Sequence, residues 1–205
     1  MTTRRALRET RRLRSRRIRA ILAGGLVFGV GAAATLAAWN DSEYGAATFT
    51  AGSFDIVGST TGIAPFASHP AGTPAALSFT TPFGALAPGN TVYALYSVKT
   101  SATSVQGNVR VTVGSTGGSG LATYMTYGLK TIVGTTCDSS TYAGGTTVVA
   151  DGAALSVGAA SGQMLLAAGG SQINYCFAVT LKPEAPNAAQ SLTAVQTWLI
   201  LGTST

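Results

Sequence analysis

From Ile173 to Lys182 the chain alternates strictly. Ile173, Tyr175, Phe177, Val179 and Leu181 are apolar, and Asn174, Cys176, Ala178, Thr180 and Lys182 fall between them. A period of two places one set on each face of an extended backbone, so this segment predicts a half-buried β-strand. Pro183 and Pro186 follow and end it, because proline cannot donate to a sheet ladder. The same alternation recurs at Val109, Val111 and Val113 around Arg110 and Thr112, and at Phe54 and Ile56 around Asp55. Thr91 to Lys99 is rich in aromatic and β-branched residues and predicts a further strand. Others are expected at Leu77-Ser78-Phe79, within Leu121 to Thr136, at Val148-Val149 and from Ser191 to Leu201. Turn signals punctuate them: a Gly/Pro-rich loop from Gly58 to Pro74, Pro88-Gly89, and a loop tip over Gly114 to Gly120. Beyond Ala38 no long stretch has a 3.6-residue apolar period. Roughly eight short strands between turns predict an all-β fold, a single jelly-roll-like antiparallel β-sandwich.

The first 38 residues follow a different pattern. Nine arginines lie between Arg4 and Arg19, and the uncharged apolar stretch Ala20 to Ala38 follows directly. A basic region, an apolar core and small residues at a cut site make a secretory signal. The organisation expected is therefore a helical signal segment over residues 1–37 and an extracytoplasmic domain over 38–205. Thr35-Leu36-Ala37 favours cleavage between Ala37 and Ala38. The alternative is an uncleaved anchor, since about 20 apolar residues can span a bilayer. Contact with the membrane is otherwise expected only through this segment before cleavage. The net charge of +6 belongs to the leader, because only four basic but six acidic residues follow Arg19. A nucleic-acid partner is therefore not expected.

Cys137 and Cys176 are the only cysteines. In an exported domain two cysteines most often pair, and two separate buried thiols are the alternative. The exported part shows no enzyme-like constellation. His69 is the only histidine and sits in a Pro/Gly loop. There is no His-Glu-x-x-His, no Gly-x-Ser-x-Gly, no Asp-rich loop and no phosphate loop. No catalytic residue, metal site or cofactor is therefore assigned. Tyr93, Tyr96, Tyr124, Tyr127 and Tyr142 offer either a binding face or ordinary core and cross-strand packing.

The segment Thr35 to Ile56 (TLAAWNDSEYGAATFTAGSFDI) resembles the camelysin/TasA group of exported proteins, whose signals are processed by a SipW-type signal peptidase. The likeness lies in Ala38-Trp39-Asn40-Asp41 and in Ala47-Thr48-Phe49-x-Ala51-Gly52-x-Phe54-Asp55. The turn Leu86-Ala87-Pro88-Gly89-Asn90 and the terminal Gln196-Thr197-Trp198 are also similar. The Arg-rich leader and the Ala/Gly/Thr bias resemble actinobacterial members. The resemblance implies a jelly-roll domain, secreted or at the cell surface, and for some members biofilm-matrix fibres built by donating an N-terminal strand. The candidate donor strand is Thr48 to Ile56, with Thr48, Phe49, Phe54, Asp55 and Ile56 as its marked residues. The expected partners are the signal peptidase, further copies of the chain, and cell-surface or matrix components. A surface binding module of adhesin type is the second reading. Some members are described as metallopeptidases, a role for which this sequence shows no ligand set.

Overall fold

The structure, a computed structural model, describes residues 3–35, 41–79 and 86–205, with helix side chains described over 11–30. The chain divides into two units, Met1–Phe49 and Thr50–Thr205. In the first, α1 (Thr3–Thr35) is one continuous helix. Among the described residues no helix is long and apolar enough to cross a membrane. The apolar stretch of the sequence itself continues beyond them, to Ala38. The proposed cut between Ala37 and Ala38 lies outside the described residues.

The second unit is an all-β sandwich. Its strands are β1 (Ile56–Ser59), β2 (Thr91–Thr100), β3 (Gly107–Gly118), β4 (Met125–Thr131), β5 (Thr146–Ala154), β6 (Gln163–Leu165), β7 (Gln172–Leu181) and β8 (Ala194–Ser204). One five-stranded sheet has the order β1-β2-β7-β4-β5 and one three-stranded sheet the order β6-β3-β8, with every strand pair antiparallel. Consecutive strands mostly cross from one sheet to the other, as in jelly-roll arrangements.

The alternation read from the sequence is the packing rule. Tyr175, Phe177 and Val179 of β7 point into the sandwich, where they meet Val109 and Val111 of β3, Tyr127 and Leu129 of β4, and Leu165 of β6. The intervening Cys176 and Ala178 face outward, yet they too are buried, under a second small apolar cluster with Leu95, Ile132 and Tyr142. The short helix α2 (Ser139–Ala143) supplies that cover. Asp138 caps it by accepting from the Ser140 and Thr141 amides at 3.0 and 2.8 Å. Those bonds, with hydroxyls from Ser140 and Thr141, hold the Asp138 carboxyl below its usual pKa. The Cys137–Cys176 disulfide ties the loop to the middle of β7 across a Cα separation of 5.4 Å.

Three local expectations are corrected. Gly114 to Gly118 is not a loop tip. It continues β3 past a bulge between Val113 and Thr116 and pairs with Ala194 to Gln196. That half of the strand projects beyond the core and is exposed, so no apolar side is needed. Hydroxyl bonds such as Thr116 Oγ1 to Gln196 Oε1 (2.6 Å) add to the ladder instead. Leu77-Ser78-Phe79 is not a strand, although Leu77 and Phe79 do pack against the core. The strand expected to end at Ile56 instead begins there, and the loop expected from Gly58 therefore starts after Ser59.

Candidate functional site

Two concavities stand out in the β unit. The larger is an apolar groove of about 690 Å³ between the two sheets. Its floor is the inner face of the five-stranded sheet, including Val92, Tyr96, Phe177 and Met125. Residues 194–200 of β8 form the opposite wall, with Trp198 and Ile200 packed toward the core. Among the described residues β8 pairs with β3 alone, so its other edge joins no ladder, while the outer edge of β1 is bridged at Gly58 by Ala67.

Trp198 is the central side chain of that wall. Its ring centroid is 4.8 Å from Phe177 and 5.6 Å from Tyr127. The Tyr127 hydroxyl donates to the Val157 carbonyl. Burial raises the Tyr127 pKa, and the neighbouring Trp198 N–H offsets part of the rise. That N–H is buried beside Tyr127 and has no acceptor in hydrogen-bonding geometry. At the mouth, the Tyr96 hydroxyl lies 3.4 Å from His69 Nδ1, so the lone histidine borders the groove. Burial also raises the Tyr96 pKa.

The structure divides the candidate donor residues into two groups. Phe54, Asp55 and Ile56 are held by their own domain. The Asp55 amide donates to Ser104 Oγ at 2.9 Å, and its carbonyl accepts from the Ser101 amide at 3.0 Å. Ile56 opens β1 opposite Thr100. The Phe54 ring fills a notch made by Gly107 and Gly202, where a Cβ on either glycine would collide with it. Thr48 and Phe49 are exposed and in no strand, with Phe49 91% exposed and Tyr44 likewise.

The second concavity, of about 470 Å³, lies on the outer face of the five-stranded sheet. Thr91 and Tyr93 of β2, Ala178 and Thr180 of β7, Gly128 and Lys130 of β4, and Asp151 of β5 contribute to it, and Tyr142 forms one end. The Tyr142 hydroxyl donates to Asp151 Oδ1, and Lys130 Nζ is 3.9 Å from Asp151 Oδ2. The same ammonium sits 4.5 Å from the Tyr142 ring centroid. Burial first, and the Asp151 carboxylate second, push the Tyr142 pKa far above the ordinary phenol range.

The five candidate tyrosines thus do not share one face. Tyr127 lies in the core, Tyr96 borders the groove, Tyr93 and Tyr142 border the outer trough, and Tyr124 sits in a short 3-10 turn, Leu121–Tyr124. The disulfide joins the two candidate cysteines. Among the described residues no three His, Cys, Asp or Glu side chains are grouped so as to hold a metal ion. Sequence reading missed Lys130 and Asp151. They lie on paired strands interrupted by register shifts on either side of Leu129, and no simple alternation predicts that they meet. No family model matches the chain, and no curated protein is significantly similar to it.

Proposed function

We propose that this protein is an exported structural subunit of the cell surface or extracellular matrix, and that its copies join by N-terminal strand exchange. In this reading the segment preceding the sandwich leaves its own domain and lies in the groove of the next copy, beside the free edge of β8. The observation that carries the reading is the apolar groove of about 690 Å³ alongside the edge of β8, which pairs with no further strand among the described residues. The segment has matching chemistry. Ala47, Phe49 and Ala51 alternate with Thr48 and Thr50, so an extended backbone presents one apolar and one hydroxylated face. Phe54 and Ile56 then serve as the anchor from which the donor departs. Head-to-tail donation is a heterologous contact and grows into a filament rather than a closed dimer.

The Cys137–Cys176 bridge fits an oxidising compartment. Export through a signal cleaved by a SipW-type peptidase belongs to the same proposal and supplies the free N-terminus that exchange requires. The protein has no catalytic role in this reading. Electron microscopy and size-exclusion chromatography of the protein released by expressing cells test it. Fibres or growing oligomers are expected from the unaltered chain and should be lost on deleting residues 41–51 or in Phe49→Asp. Both changes leave Phe54 and Ile56 in place. A chain that stays monomeric, or fibres unaffected by either change, would overturn strand exchange.

A further inference from the structure

The outer trough has no part in strand exchange, and its composition points to a ligand of its own. Thr91 and Thr180 stand side by side on β2 and β7, their hydroxyls 2.7 Å apart and solvent-accessible. One step along the same strands, Tyr93 faces Ala178 in register, and Ala178 faces Gly128 of β4. The small residues let the Tyr142 hydroxyl and the Asp151 carboxylate lie directly over Gly128, and the trough opens beside them along Thr91, Thr180 and the half-exposed Tyr93 ring, with the Asp151 side chain 64% exposed. Tyr142 bounds it, tilted against Tyr93 at a centroid distance of 5.5 Å. The Tyr142 hydroxyl and the Lys130 ammonium fix the Asp151 carboxylate from one side while its other aspect remains open to solvent.

We propose that this trough binds a neutral glycan. Three features select that class. The lining has one cation and one anion, already placed against each other, so it gains nothing from a net charge on the ligand. Its polar groups are hydroxyls and a carboxylate, which pair naturally with the hydroxyls of a sugar. The Tyr93 face supplies an apolar surface for the C–H side of a pyranose ring. A volume of about 470 Å³ accommodates a disaccharide and falls within the usual small-ligand range. The disulfide and the Asp138 cap hold α2, and with it Tyr142, in position before any ligand arrives.

NMR titration of the isotopically labelled full chain with cellobiose, maltose, mannobiose and chitobiose tests the proposal. At least one sugar should give saturable shifts at Thr91, Tyr93, Asp151 and Thr180. Tyr93→Ala should weaken that binding about tenfold, the loss expected for one stacking face. Asp151→Asn, which keeps an acceptor for Tyr142, reports separately on the carboxylate and should also weaken it. The deletion of residues 41–51 should leave binding unchanged, which keeps this test independent of fibre formation. No saturable shift with any of the four sugars would overturn the proposal. So would binding that survives both Tyr93→Ala and Asp151→Asn, or tighter binding of an acidic sugar such as galacturonate.

Discussion

The Trp198 and Phe177 rings meet with their centroids 4.8 Å apart, joining β8 of one sheet to β7 of the other. Tyr127 completes the aromatic group from β4. Because Trp198 is only half-buried, Trp198→Ala is expected to cost about 3 kcal/mol, the lower end for such truncations. Urea unfolding of the variant measures this as a fall in midpoint at unchanged slope. The same side chain reports on the groove. In a Trp39→Phe background, assembly should shift the Trp198 emission to shorter wavelength as a strand covers it. Fibres that form without any change in emission would place the junction elsewhere.

Phe54 and Gly202 form a second coupled pair. A Cβ at Gly202 would lie 2.6 Å from Phe54 Cε1 and 3.6 Å from Ile56 Cδ1. Gly202→Ala therefore overpacks the notch, with an expected loss of about 1–3 kcal/mol. It should also increase protease cleavage between residues 41 and 55. Phe54→Ala removes the colliding ring, so the double variant should be more stable than the two separate losses predict. Strictly additive losses would show that the notch does not anchor the entry segment.

Much of this fold is legible from side-chain period alone. The strands with one face on the core, such as Ile173 to Lys182, show in the sequence because burial on that face demands alternation. Gly114 to Gly118 reads as a loop tip for the complementary reason: its ladder extends past the core, and a strand without a buried face carries no apolar signal. Leu77 and Phe79 show the converse: their side chains alternate and pack against the core, but their backbone joins no ladder among the described residues. β6 is three residues long, too short for any period to register. The groove depends on which strands end each sheet, a property of topology rather than of local pattern. The outer trough depends on register between distant strands, which brings Tyr93 opposite Ala178 and Ala178 opposite Gly128.

The disulfide gives a direct prediction. It joins residues separated by 39 positions. In the chain-entropy account, losing a bridge of that span costs roughly 4 kcal/mol. Cys137→Ala with Cys176→Ala should lower the urea midpoint accordingly, and the effect should spread to the outer cluster of Leu95, Ile132 and Tyr142. Hydrogen exchange at α2 should rise more than exchange at β3, which lies in the other sheet. Cys176 is fully buried, so reductant should act slowly on the native protein and quickly once urea opens it. Equal reduction rates in both conditions would show that the half-buried Cys137 sulfur is open to attack in the native protein.

Alkaline pH tests the packing of the tyrosines together. Burial raises the pKa of Tyr96, Tyr127, Tyr142 and Tyr175, with Tyr142 raised further by the Asp151 carboxylate. Tyr175 is fully buried, and its hydroxyl donates to Gln163 Oε1 at 2.6 Å. In the unfolded chain these groups ionise near the ordinary value of about 10. Above that pH the unfolded state therefore loses protons that the native state keeps, and stability must fall as pH rises. Below it both states keep them and the contribution is complete. Urea midpoints should be flat in this respect up to about pH 9 and decline from about pH 10 upward. Phenolate absorbance from these four residues should appear together with loss of the β-sheet circular dichroism rather than before it. Tyr142→Phe should make the decline shallower, because its ionisation on unfolding no longer contributes. A native spectrum that persists while all seven tyrosines ionise would refute the burial of Tyr142 and Tyr175.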